Sequence, residues 1–269
     1  MNKDLIRNQF GTHAEKYVTS VVHAKGKSLQ RLVALADPEK EWHVLDIATA
    51  TGHTAFALAP HVRTVIASDL VPKMLEVAQI EARNKNITNV RFEQADAENL
   101  PFEAQSFDLV TCRIAAHHFP DVKKFLKEAS RVLKPQGKFI LVDNVGIDEL
   151  LFPEEKSASE RDFEEASRCY NEFEAIRDPS HNRSLTIGEW STLIRQTGFE
   201  ITAIEVLDKD MQFGTWVERL NTPEDGIEKL RGIINGNNQL LHKYLQPRER
   251  DGDIWFTIKE ATIAAEKST

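Results

Sequence analysis

The chain has 269 residues, enough to bury a substantial core as one large domain or two small ones. Hydrophobic residues make up 41% and charged residues 28%, a globular balance that excludes fibrous and disordered classes. A formal net charge of −8 argues against a general nucleic-acid backbone binder, and the two cysteines, Cys112 and Cys169, form neither a disulfide framework nor a metal spacing. They fit a reducing compartment, so a cytoplasmic protein with no resident metal is expected.

The first residues, MNKDLIRNQFGTHAEKY, lack the apolar region of a secretion signal, and no later run approaches the roughly 18 apolar residues of a membrane span. Within NQFGTHAEKY, Phe10, Ala14 and Tyr17 fall at helical spacing and form one apolar face. From Trp42 onward short β-branched runs alternate with amphipathic stretches. HVLDIA reads as a first strand and a helix follows from His53. TVIASD is a second strand, and Pro72 suits the first turn of a helix carrying Met74, Leu75, Val77, Ala78 and Ile80. VRFEQAD is a third strand and FDLVTCR a fourth. A helix marked by Val122, Phe125, Leu126, Ala129, Val132 and Leu133 ends before a Pro135-Gln136-Gly137 turn, and KFILVDN is a fifth strand. Alternation of this kind predicts βαβ units, a parallel sheet and right-handed crossovers.

After Val145 the rhythm changes. Residues 150–185 are charged and helical, with Phe163, Ala166, Tyr170 and Phe173 along one stripe. Ser184 or Thr186 is placed to cap the helix that holds Trp190. ITAIEVL, after a turn at Gly198, is a sixth strand. Residues 211–246 read as helices, one with Thr222 as N-cap and Pro223 at its first position. DIWFTIKEATIAAE is a closing strand. The pattern predicts a doubly wound, mostly parallel seven-stranded α/β sheet with helices on both faces. It is read as a single domain, residues 1–269, with an N-terminal helical cap (1–40), a ligand-binding core (41–147), and helical insertions (148–185 and 211–246) forming a substrate lid.

In such a sheet ligands sit beyond the C-terminal strand ends where strand order reverses. The turn there reads VLDIATATG, with Ala48 and Ala50 before the single glycine, Gly52. A dinucleotide needs glycines at these places so that its pyrophosphate approaches the backbone; two methyl groups favour an adenosine ligand without phosphate. S-adenosylmethionine has that form, and its carboxylate can use N–H groups at the start of the next helix. Asp69 ends the second strand 23 positions after Asp46, the spacing of an acid that accepts from ribose hydroxyls, and Leu70 beside it is expected in the same site. Capping of the helix at Pro72 is the alternative role for Asp69.

The stretch FEQADAENLPFEAQSFDLVTCR (Phe92–Arg113) and the later RVLKPQGKFILVD closely resemble class I S-adenosylmethionine-dependent methyltransferases, above all the small-molecule enzymes of the ubiquinone/menaquinone-biosynthesis type. The resemblance runs from about residue 8 to residue 145. It implies the Rossmann-like methyltransferase fold and S-adenosyl-L-methionine as cofactor. Carried over, Asp96 accepts from the adenine amino group with Ala97 beside it, Asp46 helps hold the methionine end, and Gly52 matches the last glycine of the family's turn. Ala48 and Ala50 depart from the family's glycines. NQFGTHAEKY resembles a segment that folds over the cofactor, which brings the Tyr17 hydroxyl to it; a helix merely covering the sheet edge is the alternative.

Methyl transfer from a sulfonium needs a base only when the nucleophile is protonated. Arg113 ends the fourth strand facing the cleft, and His117 and His118 follow as candidate catalytic bases; because neighbours in an extended loop point opposite ways, at most one of the two is expected to face the methyl group, and a packing or loop-bonding role is the alternative for both. Arg177, His181 and Arg183, in RDPSHNRS, are placed to meet an anionic substrate. The expected partner is a small-molecule methyl acceptor, with no nucleic acid. An Asn/Asp-Pro-Pro-aromatic motif of nucleic-acid methyltransferases does not occur after the fourth strand. The competing readings are a non-catalytic S-adenosylmethionine-binding module and an NAD-dependent oxidoreductase.

Overall fold

The structure is a computed structural model that describes residues 3–7 and 26–268. Residues 3–7 are helical. Tyr17, Phe10 and Ala14 lie outside the described residues.

The first half alternates as the periodicity predicts: α1 (Lys27–Ala36), β1 (His43–Ile47), α2 (His53–Leu58), β2 (Thr64–Asp69), α3 (Pro72–Asn84), β3 (Val90–Gln94), β4 (Phe107–Arg113), α4 (Val122–Val132) and β5 (Leu133–Asn144). β1 and β4 are buried along nearly their whole length because helices cover both faces of a parallel sheet. Two apolar clusters result, one on each face. One gathers Leu45, Val110, Phe125, Phe139 and Trp190; the other gathers Leu32, Val44, Leu58, Val65 and Leu109. Pro72 opens α3, and Asp121 caps α4 by accepting from the Lys124 N–H at 3.0 Å.

The second half contains α5 (Glu160–Arg177), α6 (Ile187–Gln196), β6 (Phe199–Gln212), α7 (Phe213–Glu218), α8 (Glu224–Ile234), α9 (Gln239–Leu245), β7 (Arg248–Arg250) and β8 (Asp253–Lys267). Strand order is β3-β2-β1-β4-β5-β8-β6, with β7 paired to β8. The strands from β3 to β5 are parallel, and β8 runs antiparallel between β5 and β6. β5 stops at Asn144, opposite Glu260, whereas β6 stays paired to β8 as far as Gln212–Trp255. A two-stranded ribbon therefore projects past the sheet. α5, α7, α8 and α9 pack around it through Tyr170, Phe173, Trp216, Tyr244 and Phe256. The Tyr244 hydroxyl donates to the Val145 carbonyl at 2.7 Å and accepts from the Lys259 N–H at 3.2 Å, tying α9 to the ribbon's base.

Four details depart from the sequence reading. The sheet has eight strands rather than seven, because Asp251-Gly252 adopts a left-handed turn that folds Arg248–Arg250 back as a hairpin strand. β6 runs on to Gln212, since pairing with β8 holds it extended through residues read as the start of a helical insertion. Pro135-Gln136-Gly137 lies inside β5, at a register shift against β4. Pro223, not Thr222, is the N-cap residue of α8. Residues 150–185 are helical over Glu160–Arg177, where Ser159 and Asp162 form a capping box; Thr186, not Ser184, caps α6. No helix among the described residues is long and apolar enough to cross a membrane.

Candidate active site

The turn after β1 takes a left-handed backbone at three places: Ala48 (φ 53°), Ala50 (φ 48°) and Gly52 (φ 88°). Glycine adopts this freely, whereas an alanine incurs about 1–2 kcal/mol. The surrounding bonds hold the alanines there. Thr49 N–H donates to the Ser68 carbonyl at 2.9 Å, and Ala50 N–H donates to Oδ2 of Asp69 at 2.8 Å. At Gly52 an added Cβ would lie 2.5 Å from Cζ of Phe56, so any other residue must displace that ring and hold a left-handed backbone as well.

Asp46 braces this turn from behind. It is 1% exposed, and its two oxygens accept from Thr49 Oγ1 at 2.6 Å and Thr111 Oγ1 at 2.7 Å. Burial pushes its carboxyl up to about 6 despite those bonds and the nearby Arg113.

Beyond the C-terminal ends of β1 to β4, where strand order reverses, lies a cleft of about 1030 Å³, open solvent included. Of the residues singled out from sequence, Ala48, Ala50, Asp69, Leu70, Asp96, Ala97, Arg113 and His118 line it, and Asp46 and Gly52 do not. Asp69 is buried, and its Oδ1 accepts from the Val71 N–H at 2.9 Å. It therefore joins the turn to the residue preceding α3 and is not a side-chain cap of that helix. Burial pushes Asp69 up to about 6, against the pull of the Val71 and Ala50 N–H groups. Asp96 is half-buried, and its Oδ2 lies 2.6 Å from the Lys3 ammonium, which also reaches Glu98 at 2.8 Å. Thr51 lines the cleft with a buried hydroxyl that has no hydrogen-bond partner among the described residues. Arg113 Nε donates to Thr54 Oγ1 at 3.1 Å.

A second chamber, about 580 Å³, adjoins the first, and Ile114 and His118 line both. Ile114 is left-handed (φ 55°), a costly conformation for a β-branched residue, and its N–H donates to the Val142 carbonyl at 2.7 Å. Both histidines line this chamber, which corrects the expectation that they diverge: Ala116–His118 is a 3-10 turn, and the imidazole centroids lie 4.1 Å apart. His117 Nδ1 is 2.6 Å from Oδ1 of Asp143, whose Oδ2 accepts from the His117 N–H at 2.7 Å. A carboxylate accepts only, so Nδ1 carries the hydrogen and Nε2 keeps its lone pair. Burial opposes charge on His117, yet Asp143, with Glu174 and Asp178 behind it, raises its pKa overall. His118 is driven the other way, down to about 4, by burial and by His117; its Nδ1 lies 2.9 Å from the Ser180 carbonyl and so donates to it.

Arg177 and His181 line the second chamber, whereas Arg183 is half-exposed and paired with Glu189, away from it. Trp216 is both core and chamber wall; Phe163, Tyr170 and Phe173 are core. Polar residues missed from sequence include Asn144, Glu174, Asp178, Lys209 and Arg219 in the second chamber, Asp143 behind His117, and Lys3 in the first cleft; Ile114, on both walls, was missed as well. Asp143 carried a usable signal, an acid ending the apolar run FILVD at the functional end of a strand. No group of three His, Cys, Asp or Glu side chains able to hold a metal occurs among the described residues.

The family model for a methyltransferase domain matches residues 38–202. The uncharacterized methyltransferase YcgJ of Bacillus subtilis is 38% identical over 226 residues, covering 84% of each chain. The crystal structure of YcgJ superposes with a TM-score of 0.79 at 33% identity, over 90% of this chain and 98% of that one. The uncharacterized protein YafE of Escherichia coli is 34% identical over 180 residues, 67% of this chain and 80% of YafE. A ubiquinone/menaquinone biosynthesis C-methyltransferase of Rickettsia massiliae is 40% identical over 113 residues, 39% of this chain and 46% of that protein.

Proposed function

The chain belongs to the class I S-adenosylmethionine-dependent methyltransferases, and on that premise we propose that it methylates a small molecule held in the second chamber beneath the helices of residues 148–185 and 211–246. The observation that carries this reading is the shared wall. Ile114 and His118 line both spaces, so a cofactor in the first cleft and an acceptor in the second meet at that boundary.

The residues fit the cofactor. Asp69 is placed for the ribose hydroxyls and Asp96 for the adenine amino group. Leu70 and Ala97 flank the nucleoside, and Ala48, Ala50 and Arg113 face the methionine end. The unpartnered Thr51 hydroxyl gives that end a further hydrogen-bonding group. Asp46 and Gly52 act one step back, by holding the turn's shape. Tyr17 belongs to the same proposal on the resemblance alone. When bound, the sulfonium supplies an electrophilic methyl carbon, and alignment of the reactants is worth on the order of 7–11 kcal/mol. A protonated nucleophile gives its proton to Nε2 of His117, whose Nδ1–H is held by Asp143. His118, kept neutral by burial, orders the boundary through Ser180.

Calorimetry with S-adenosylmethionine, S-adenosylhomocysteine and NAD tests the first half, and a methyl-release assay on a panel of small acceptors tests the second. The first two ligands are expected to bind and NAD is not. NAD binding without a response to S-adenosylmethionine overturns the reading, and cofactor binding with no turnover on any acceptor replaces it with a non-catalytic S-adenosylmethionine-binding module.

A further inference from the structure

Arg177, the last residue of α5, brings a poorly satisfied guanidinium to the second chamber. Its side chain is 12% exposed, and its ion pair with Glu174 is 3.9 Å long, beyond hydrogen-bond reach. Its Nε has no hydrogen-bond partner among the described residues. A guanidinium has five N–H donors, and leaving buried charged donors unmade costs about 1–3 kcal/mol or more.

The neighbours fix it in place. Its Cζ lies 4.7 Å from the centre of the Trp216 ring. That ring is stacked on Phe173 at 4.8 Å and meets Phe256 edge-on at 5.0 Å, so the platform is rigid. Two more buried polar atoms of chamber-lining residues lack partners among the described residues: Trp216 Nε1, a donor, and Asn144 Oδ1, an acceptor. The nearby acids attract Arg177 but take their hydrogen bonds from other groups. Asp178 Oδ1 accepts from Ser180 N–H at 2.9 Å and Oγ at 2.5 Å, and Glu174 accepts from the Tyr170 hydroxyl at 3.3 Å. Lys209, also in the lining, pairs with Glu260.

Arg177 thus offers the chamber a partly open, charged fork whose ion pair with Glu174 is long. We propose that the second chamber selects a methyl acceptor bearing an oxyanion, a carboxylate or a phosphate monoester, which the Arg177 guanidinium binds from its seat on the Trp216 ring. This rests on the methyltransferase reading of the adjoining cleft. It accounts for a buried arginine in a chain of net negative charge, because a planar guanidinium meets an oxyanion with paired hydrogen bonds.

The test uses the full chain saturated with S-adenosylhomocysteine and titrated with acetate and with inorganic phosphate, followed by tryptophan fluorescence and calorimetry. Saturable binding of one of them is expected, acetate marking a carboxylate acceptor and phosphate a phosphorylated one. Arg177→Gln is expected to weaken that binding at least about tenfold while S-adenosylhomocysteine affinity stays unchanged. Arg177→Lys recovers part of the loss, since it keeps the charge without the fork. Trp216→Phe, which shrinks the aromatic platform beneath the guanidinium, weakens anion binding severalfold and guards against a misfolded arginine variant. An unaltered chain saturated by neither anion, or an Arg177→Gln chain that binds as the unaltered one does, overturns the proposal. A chain that fails to bind S-adenosylhomocysteine fails the cofactor reading instead, so the two failures are distinguishable.

Discussion

Nδ1 of His117 lies 2.6 Å from Oδ1 of Asp143, joining the turn after β4 to the end of β5 behind the wall of the second chamber. The carboxylate also accepts from the backbone N–H groups of His117 at 2.7 Å and Asn144 at 3.0 Å, so it cannot swing away from the ring. Asp143→Asn is therefore expected to lower turnover about tenfold or more, with S-adenosylhomocysteine affinity preserved. Asp143 acts through His117, and the pH dependence separates this role from a structural one. In the unaltered chain His117 titrates above its ordinary value, so turnover of a protonated nucleophile rises with pH through that raised pKa; in Asp143→Asn the rise moves to lower pH. The linked stability runs oppositely. A raised histidine pKa stabilises the fold fully below about 6.5 and loses that contribution as pH climbs through the folded-state value, so the variant's deficit is largest in mild acid. Imidazole NMR titration checks both, with His118 still neutral where His117 is charged.

Asp69 gives a second pH signature. Burial holds its carboxyl up at about 6, above its unfolded value, so the native chain binds the proton more tightly than the unfolded one. Without cofactor, stability contributed by this group is full below about 4 and falls as pH rises from there toward 6. On the proposed binding mode ribose hydroxyls donate to the ionised form, so cofactor binding is expected to release a proton in that window, with S-adenosylhomocysteine affinity increasing from about pH 5 to pH 7. Calorimetry in buffers of differing ionisation enthalpy measures the proton. Asp69→Asn should abolish this release and weaken binding. Asp46, also near 6 but outside the cleft, keeps the pH dependence when changed to Asn; persistent proton release in Asp69→Asn assigns the effect elsewhere.

The strands and helices of the first half were legible because apolar runs and helical stripes there follow single, unambiguous periods, and Asp69 was legible because its position at a strand end follows from them. The eighth strand was not, since Asp251-Gly252 acts as a hairpin signal only beside a partner strand, and Arg248–Arg250 has no apolar alternation to announce one. His117 and Arg177 were legible as single candidates, but the charged groups that meet them in the second chamber were hidden for another reason. Glu174, Lys209 and Arg219 lie on separate segments that come together only in the fold. Spacing along the chain carries no trace of that. The divergence expected of His117 and His118 failed because a tight 3-10 turn replaced an extended loop.

Lys3 sits on the carboxylate assigned to the adenine amino group, 2.6 Å from Oδ2 of Asp96, with Glu98 at 2.8 Å as its second partner. Both ion pairs are partly exposed, which limits their worth to about 1 kcal/mol or less. An adenine amino group bound as proposed shares Asp96 with this ammonium. Lys3→Gln is accordingly expected to tighten S-adenosylhomocysteine binding by up to about fivefold at low salt, an advantage that screening erases. Titrations at two ionic strengths measure it; weaker binding in Lys3→Gln would instead assign Lys3 to holding residues 3–7 over the ligand.

The turn makes a prediction whose sign differs between neighbouring positions. Ala50 at φ 48° bears the strain of a left-handed backbone with a Cβ attached, whereas Gly52 at φ 88° bears none. Ala50→Gly relieves that strain but adds freedom to the unfolded chain, and the two effects leave a gain of up to about 1 kcal/mol. Gly52→Ala adds a Cβ at 2.5 Å from the Phe56 ring in the same backbone region, so a loss of more than about 1 kcal/mol is expected. Denaturant unfolding of the two variants reads both, and S-adenosylhomocysteine affinity should fall in Gly52→Ala and hold in Ala50→Gly. Destabilisation by Ala50→Gly would mean that the alanine methyl, packed against Ile6, Val71 and Met74, contributes more than its backbone strain removes.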